Sequence, residues 1–171
     1  NKPIRYIPHP IYDTFGDPVD QQSARRQINI ESDIPVFLFF GFIRKYKGLD
    51  LLLNAIGTSP LREKKFKVLI AGEFYDEKEE YERIIQDLEI QDNIVLRNEF
   101  IPKEEVRFYF GAADLVVQPY RNATQSGISQ MAYHFNKPMV VTNVGGLPEI
   151  VDHGQSGYVV DVDPDAIKWA L

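Results

Sequence analysis

Hydrophobic and polar residues follow two alternating patterns along the 171-residue chain. The first pattern is a short run of almost entirely apolar residues, found at 36–41, 67–72, 93–97, 114–119 and 138–143, with a shorter candidate at 157–160. Such runs are typical of strands covered on both faces, because neither face meets water. We therefore predict five buried strands and a candidate sixth, with helices as their cover.

The second pattern places apolar residues at i, i+3, i+4 and i+7, which is the spacing of one helix face. It occurs between the strand runs, at 49–56, 81–88 and 128–135. A further helix is predicted over 102–110, where Pro102 and the acidic Glu104 and Glu105 indicate its start. Pro164 indicates one more helix start near the end of the sequence.

Strands and helices therefore alternate, and each connection between strands is long enough to contain a helix. Such crossovers are right-handed in nearly all proteins, so the simplest arrangement is a Rossmann-like, doubly wound parallel α/β sheet with helices on both faces. In the common strand order 3-2-1-4-5-6, the ligand crevice opens between the first and fourth strands at their carboxyl ends. The loops after Gly41 and Pro119 are the predicted ligand loops.

The loop after the first strand is basic. Arg44, Lys45 and Lys47 lie within four residues, between Gly41 and Gly48. Their charges, with the free backbone N–H groups of the helix start after Gly48, suit an anion such as a diphosphate. A solvated basic turn is the alternative interpretation.

The loop after the fourth strand, 118–127, is small and polar and ends in Ser126 and Gly127 at a predicted helix start. These residues let a ligand approach unpaired backbone N–H groups. An ordinary capped helix would have the same sequence pattern.

A third loop, 142–149, follows the fifth strand and contains Gly145 and Gly146. Glu149 at its end has two interpretations, which the sequence leaves open. It accepts hydrogen bonds from ligand hydroxyl groups, as an acid does for ribose in dinucleotide sites, or it stabilises the first turn of a helix after Pro148.

Composition excludes several classes of function. With 19 basic and 25 acidic residues, the chain has a net charge of -6 and a pI near 5.1, unlike a general nucleic-acid binder. It has no cysteine, and its three histidines lack metal-ligand spacing. The acidic run 161–165 is assigned to a turn. No cofactor, metal site or nucleic-acid partner is predicted, and no apolar run approaches the length of a membrane span.

Residues 1–35 are interpreted as an interdomain connector and lead-in, because four prolines lie among aromatic and polar residues in 1–18. Residues 36–171 are interpreted as one α/β domain. The chain does not begin with Met, and its last helical pattern is still running at residue 171. We expect a domain of a longer protein, truncated at its carboxyl end.

An ordered set of motifs spans most of 36–171. Gly41 is followed by basic residues and Lys47-Gly48, residues 113–120 spell Ala-Asp-Leu-Val-Val-Gln-Pro-Tyr, and residues 137–149 spell Lys-Pro-Met-Val-Val-Thr-Asn-Val-Gly-Gly-Leu-Pro-Glu. In this order the motifs resemble the C-terminal, nucleotide-sugar-binding domain of family-four retaining glycosyltransferases, which have the GT-B fold.

The resemblance implies a nucleoside diphosphate sugar as donor, bound in a cleft between this domain and an N-terminal acceptor domain that the sequence lacks. It implies retaining transfer to an acceptor glycan or lipid-linked glycan, with the isolated fragment inactive. It also implies a cytoplasmic protein, with the missing domain as the candidate for peripheral membrane contact. The sugar, the base and the acceptor stay open.

Carried over by position, Arg44 or Lys47 would stabilise the leaving diphosphate. Arg44 would stand in for an arginine that the family has at the position of Phe42. Backbone groups around Phe100 and Ile101 would face the base, and the helix start at 126–128 would face the phosphates. The remaining donor-binding residues implied by the resemblance are Gly41, Gly48, Gln125, Ser126, Gly127, Ile128 and Glu149.

Two further positions depart from the family pattern. Ala123 and Met131 stand where the family often has two glutamates, one near the donor sugar and one on the ribose hydroxyl groups. Other side chains must then make these contacts, and the candidates are Gln125 and Glu149. The alternative function is a noncatalytic nucleotide-binding or interaction module on the same fold.

Overall fold

The computed structural model describes residues 10–30, 33–58, 60 and 64–171. Its described residues form a sheet of six parallel strands in the order β3-β2-β1-β4-β5-β6. The strands are β1 Val36–Phe40, β2 Lys67–Ala71, β3 Ile94–Arg97, β4 Leu115–Gln118, β5 Met139–Thr142 and β6 Gly157–Val160. The predicted doubly wound sheet, its strand order and the candidate sixth strand are confirmed.

The helices are α1 Gln21–Gln27, α2 Leu49–Gly57, α3 Lys78–Asp87, α4 Val106–Ala112, α5 Gly127–His134 and α6 Pro164–Ala170. Helices α2 to α5 lie between successive strands, as the apolar spacing predicted, whereas α1 precedes β1 and α6 follows β6. Helix α4 begins four residues after Pro102, because the preceding residues form a turn in which the Glu105 N–H donates to the Pro102 carbonyl. Within the described ranges, no helix has the length and apolar character needed to cross a membrane.

Two hydrophobic cores lie on opposite faces of the sheet. Alternate residues of β1 separate between them, with Leu38 and Phe40 in one core and Phe37 and Phe39 in the other. The first core contains residues of α1, α4 and α5, and the second contains residues of α2, α3 and α6. Both faces of each central strand are therefore covered, which explains the unbroken apolar runs.

Helix α1 lies within the segment that the sequence analysis assigned to the lead-in, yet it packs against the domain. Ala24 is fully buried beside α4. Arg25 is 4% exposed; its Nε donates to the Ala112 carbonyl (3.0 Å) and its guanidinium pairs with the Asp114 carboxylate at 2.7 Å. The same carboxylate accepts from the Val36 N–H at 2.8 Å. Residues upstream of 36, α1 among them, are thus part of the packed domain.

We expect Arg25→Met to lower the free energy of unfolding by about 1–3 kcal/mol, because the Ala112 carbonyl would lose its buried Arg25 donor and the half-exposed Asp114 carboxylate its ion-pair partner. Arg26→Met is the matched control, since Arg26 is exposed and bonds Ser23 on its own helix. Its cost should stay below about 0.5 kcal/mol in chemical denaturation. Equal stability of the two variants would mean that α1 contributes little to the domain.

Candidate functional site

The two predicted ligand loops, after β1 and after β4, are in direct contact. Gly48 has φ +67°, and a Cβ there would overlap the Pro119 carbonyl oxygen, so only glycine fits without a shift. The Arg121 N–H donates to the Tyr46 carbonyl at 2.7 Å, and the Arg121 guanidinium pairs with Asp50 on α2. These contacts fix the two loops against each other at the point where the strand order reverses.

The three cations of the β1 loop have different surroundings. Arg44 is exposed, with its guanidinium carbon 4.7 Å from the centre of the Tyr75 ring. Lys45 is exposed and its Nζ lies 3.7 Å from a Glu80 carboxylate oxygen. Lys47 is 8% exposed. The predicted anion site therefore contains one buried cation rather than a cluster of three.

Lys47 lies over the end of β1. Its Nζ is 5.7 Å from the centre of the Tyr120 ring. It is also close to Gly41, because a Cβ added to Gly41 would lie 3.2 Å from the Nζ. Burial, and secondarily the charge of Arg44, lowers the pKa of Lys47 from 10.5 to about 8. Among the described residues Lys47 has no carboxylate partner. A buried cation without a counter-charge, with its pKa shifted by burial, is a candidate for pairing with an anionic ligand.

Lys47 lines a cavity of about 290 Å³ at the carboxyl ends of three strands, which we call the strand-end cavity. Its walls are largely apolar and come from the loops after β1, β2 and β3 and from α5. The lining residues include Gly41, Phe42, Lys47, Gly72, Glu73, Glu99, Phe100, Ile101, Ile128 and Met131. The structure thus brings together the predicted Gly41, Lys47, Phe100, Ile101 and Ile128.

Ser126 caps α5, as the alternative interpretation of its loop predicted. Its Oγ accepts the Ile128 N–H at 3.2 Å, and the side chain is buried. Gly127 begins the helix under the Tyr12 ring, which a Cβ would approach to 2.8 Å. Burial raises the pKa of Tyr120, and a hydrogen bond with Ser126 opposes this rise. The start of α5 is therefore packed against Tyr12, and it also lies close to the strand-end cavity through Ile128.

Glu149 lies beside a second cavity, of about 610 Å³, on another side of the α5 start. We call it the α5 cavity; the polar residues lining it include Gln125, Ser126, Gln130 and Glu149. No helix begins after Pro148, and 148–149 is a turn, so the first-turn interpretation of Glu149 is wrong. Glu149 and Lys47 line separate cavities.

Ala123 and Met131, which replace the two glutamates of the family pattern, lie in apolar surroundings. Ala123 is partly buried against the first core, and Met131 is 6% exposed and also faces the strand-end cavity. Neither supplies a hydrogen-bond acceptor of carboxylate strength.

Two features of the site were missed by the sequence analysis. Tyr75 supports Arg44 and stacks edge-to-face with Phe42, with ring centres 4.8 Å apart. Glu73 lines the strand-end cavity directly after β2. Glu73 could have been found from the sequence, because it is an acidic residue immediately after the predicted strand 67–72.

The fold and the site together define a Rossmann-like α/β domain with a cavity, lined by the buried Lys47, at the carboxyl ends of its strands beside the switch point. Residues 20–171 match the family model described as "Glycosyl transferases group 1", and the chain belongs to that family. The predicted family, the GT-B glycosyltransferases, is thereby confirmed.

Curated relatives are longer than this chain. An uncharacterized glycosyltransferase of Methanocaldococcus jannaschii is 29% identical over 148 residues, which cover 86% of this chain and 37% of the relative. A D-inositol 3-phosphate glycosyltransferase of Acidothermus cellulolyticus is 28% identical over 166 residues, covering 92% of this chain and 37% of the relative. The chain thus spans just over a third of the length of these relatives.

Solved structures share the fold. The C-terminal domain of LpcC, a group 1 glycosyl transferase of Francisella tularensis, matches with a TM-score of 0.75 at 20% identity, covering 91% of this chain and 82% of that one. HepE of Anabaena, solved in complex with UDP-glucose, matches with a TM-score of 0.74 at 19% identity, covering 90% of this chain and 42% of that one.

Proposed function

We propose that this domain binds the donor, a nucleoside diphosphate sugar, for a retaining glycosyltransferase, and acts with an acceptor-binding domain outside this sequence. The observation that carries the proposal is the buried, uncompensated Lys47 in an apolar cavity at the switch point. A diphosphate supplies the missing counter-charge. The UDP-glucose complex of the structurally similar HepE supports the class of donor.

The cavity suits the two ends of such a donor. The β-phosphate is proposed to lie at Lys47, with its oxygens close to the Gly41 backbone, where no side chain intervenes. The base is proposed to pack against Phe100 and Ile101 on the β3 side. The sugar then extends from Lys47 toward the α5 start and Gln125.

Lys47 would contribute to transfer by stabilising charge on the leaving diphosphate. As the sugar–phosphate bond breaks, negative charge grows on the β-phosphate, and a fixed ammonium in a desolvated site stabilises it without reorganising. Arg44, exposed on Tyr75, is proposed to add charge at the cavity rim. The acceptor attacks the same face of the sugar that the diphosphate leaves, so retention needs no enzyme nucleophile.

A noncatalytic nucleotide-binding module is the second candidate, and Ala123 and Met131 favour it because the family carboxylates are absent. The two candidates differ in transfer rather than in binding. Sugar transfer by a polypeptide that joins this domain to an acceptor-binding domain, lost in its Lys47→Met variant, would eliminate the second candidate. Nucleotide binding without transfer to any glycan or lipid-linked glycan would favour it.

The binding step is tested by calorimetric titration of this chain with UDP, GDP and ADP and with the corresponding monophosphates. We expect one base to be preferred and its diphosphate to bind at least about tenfold more tightly than its monophosphate, because the distal phosphate pairs with Lys47. Absence of binding by all three diphosphates would contradict the proposal, as would equal affinity for mono- and diphosphates.

Diphosphate affinity should fall as the pH rises above about 8. The free protein then loses the Lys47 proton, whereas the bound diphosphate favours the charged ammonium, so binding takes up a proton. We expect a decrease of up to about tenfold per pH unit between pH 8 and 9.5. Titrations in buffers of different ionisation enthalpy measure the proton uptake, which Lys47→Gln should abolish. A pH-independent affinity in the wild type would exclude Lys47 as the anion partner.

A further inference from the structure

The strand order determines which residues lie at the two ends of the strand-end cavity and which lie between them. In the order β3-β2-β1, the end of β2 lies between the ends of the other two strands. Adjacent strands are about 4.8 Å apart, so the cavity runs for roughly 10 Å from Lys47 on the β1 side to Phe100 on the β3 side. Glu73, directly after β2, lies between them.

Glu73 is held in place by its backbone. Its carbonyl accepts the Ile43 N–H at 2.8 Å, which attaches the β2 loop to the β1 loop. The residue is half-buried, and within the described ranges its carboxylate has no hydrogen-bond or ion-pair partner. Met131, which lines the same cavity, offers no strong acceptor. Glu73 is therefore the carboxylate that a polar ligand group over the end of β2 would meet.

We propose that Glu73 recognises the ribose of the donor by accepting hydrogen bonds from its 2′- and 3′-hydroxyl groups. This inference rests on the proposed function, which puts the diphosphate at Lys47 and the base at Phe100. The ribose connects these two groups and so lies over the end of β2. A carboxylate has two oxygens for a vicinal diol, and doubly wound dinucleotide-binding domains use an acid in this way.

Two other carboxylates are less well placed for this contact. Glu99 lines the same cavity, but it is exposed and follows β3, on the side of the base. Glu149, which the sequence analysis considered for hydroxyl contacts, lines the α5 cavity instead. Glu99 is therefore the matched control for Glu73, with the same chemistry at the same cavity.

The test compares ribo- and 2′-deoxyribonucleotides on the whole chain. Whichever of UDP, GDP and ADP binds best is titrated by calorimetry beside its 2′-deoxy form, with wild type, Glu73→Gln, Glu73→Ala and Glu99→Gln. The ratio of the two affinities is the readout, because removing a carboxylate near phosphates also changes the affinity of both forms. Thermal unfolding of each variant confirms that it is folded.

We expect the wild type and Glu99→Gln to prefer the ribonucleotide by about tenfold or more, the range for a hydrogen bond to a charged group. Glu73→Ala should reduce this ratio to within about twofold of one, and Glu73→Gln should fall between. A wild type without the preference, or one that keeps it in Glu73→Ala, would overturn the inference while leaving the proposed function intact. Failure of every nucleoside diphosphate to bind would overturn both.

Discussion

Lys47→Met should weaken nucleoside diphosphate binding by about 30- to 100-fold at pH 7. The variant keeps the length and packing of the lysine stem but removes the charge that the diphosphate needs inside the strand-end cavity. Calorimetry with the preferred diphosphate measures the loss. Lys45→Met is the control, because Lys45 lies in the same loop but is exposed and faces Glu80; its effect should stay within about threefold.

The same substitution should make the free protein more stable, by about 1–2 kcal/mol at pH 7, because Lys47 is charged and desolvated without a partner. The pKa of Lys47 is about 8 in the folded chain and 10.5 when exposed. Between these pH values the unfolded wild type binds more protons than the folded one, so wild-type stability rises with pH. The advantage of Lys47→Met should therefore shrink from pH 8 to 10.5.

The diagnostic result is that Lys47→Met weakens diphosphate binding but raises the free energy of unfolding. A lysine that merely packs in the core would lose stability on substitution and would leave diphosphate affinity unchanged. Chemical denaturation at pH 7 and pH 10 gives the stability values. A Lys47→Met variant less stable than wild type at pH 7 would contradict the electrostatic interpretation of the site.

Gly145→Ala should lower the free energy of unfolding by about 3 kcal/mol or more. Gly145 has φ +53°, which strains any residue with a Cβ, and that Cβ would overlap the Ala123 carbonyl oxygen. The neighbouring Gly146 N–H donates to the Thr124 carbonyl at 2.9 Å. The loops after β4 and β5 therefore touch through their backbones, and a methyl group at residue 145 would separate them.

Gly154→Ala separates the two causes. Gly154 has φ +82°, but a Cβ there would have no heavy atom within 4 Å. This control introduces the conformational strain without a steric overlap, and it should lower the free energy of unfolding by about 1 kcal/mol. Both variants are compared by chemical denaturation. Equal losses would mean that strain dominates and that the contact between the two loops is unimportant.

The sheet was predictable because each strand can be recognised from its own short stretch of sequence. The central strands are buried on both faces, so residues such as those of β1 form an unbroken apolar run, and right-handed crossovers then fix the topology. Helix α1 was not predictable in this way. It has seven residues, and it is held by the burial of Ala24 and by the pairing of Arg25 with Asp114, which is 89 residues away.

The location of the site was also predictable, because it follows from the switch point of the strand order. Which of the three basic residues is buried at the site was not predictable. The sequence does not distinguish Arg44, Lys45 and Lys47. In the fold Arg44 lies over Tyr75 and Lys45 faces Glu80, whereas Lys47 is buried near Tyr120. The sequence left two interpretations of Glu149 open, and the fold excludes the first turn of a helix, because 148–149 is a turn.

The central claim is that a nucleoside diphosphate binds in the strand-end cavity against Lys47, and amide NMR during titration with whichever of UDP, GDP and ADP binds best tests it most directly. We predict saturable shifts at Gly41, Gly48, Glu73 and Ile101, which disappear at the same nucleotide concentrations in Lys47→Met. Shifts confined to residues of the α5 cavity, or shifts that persist unchanged in Lys47→Met, would contradict the claim.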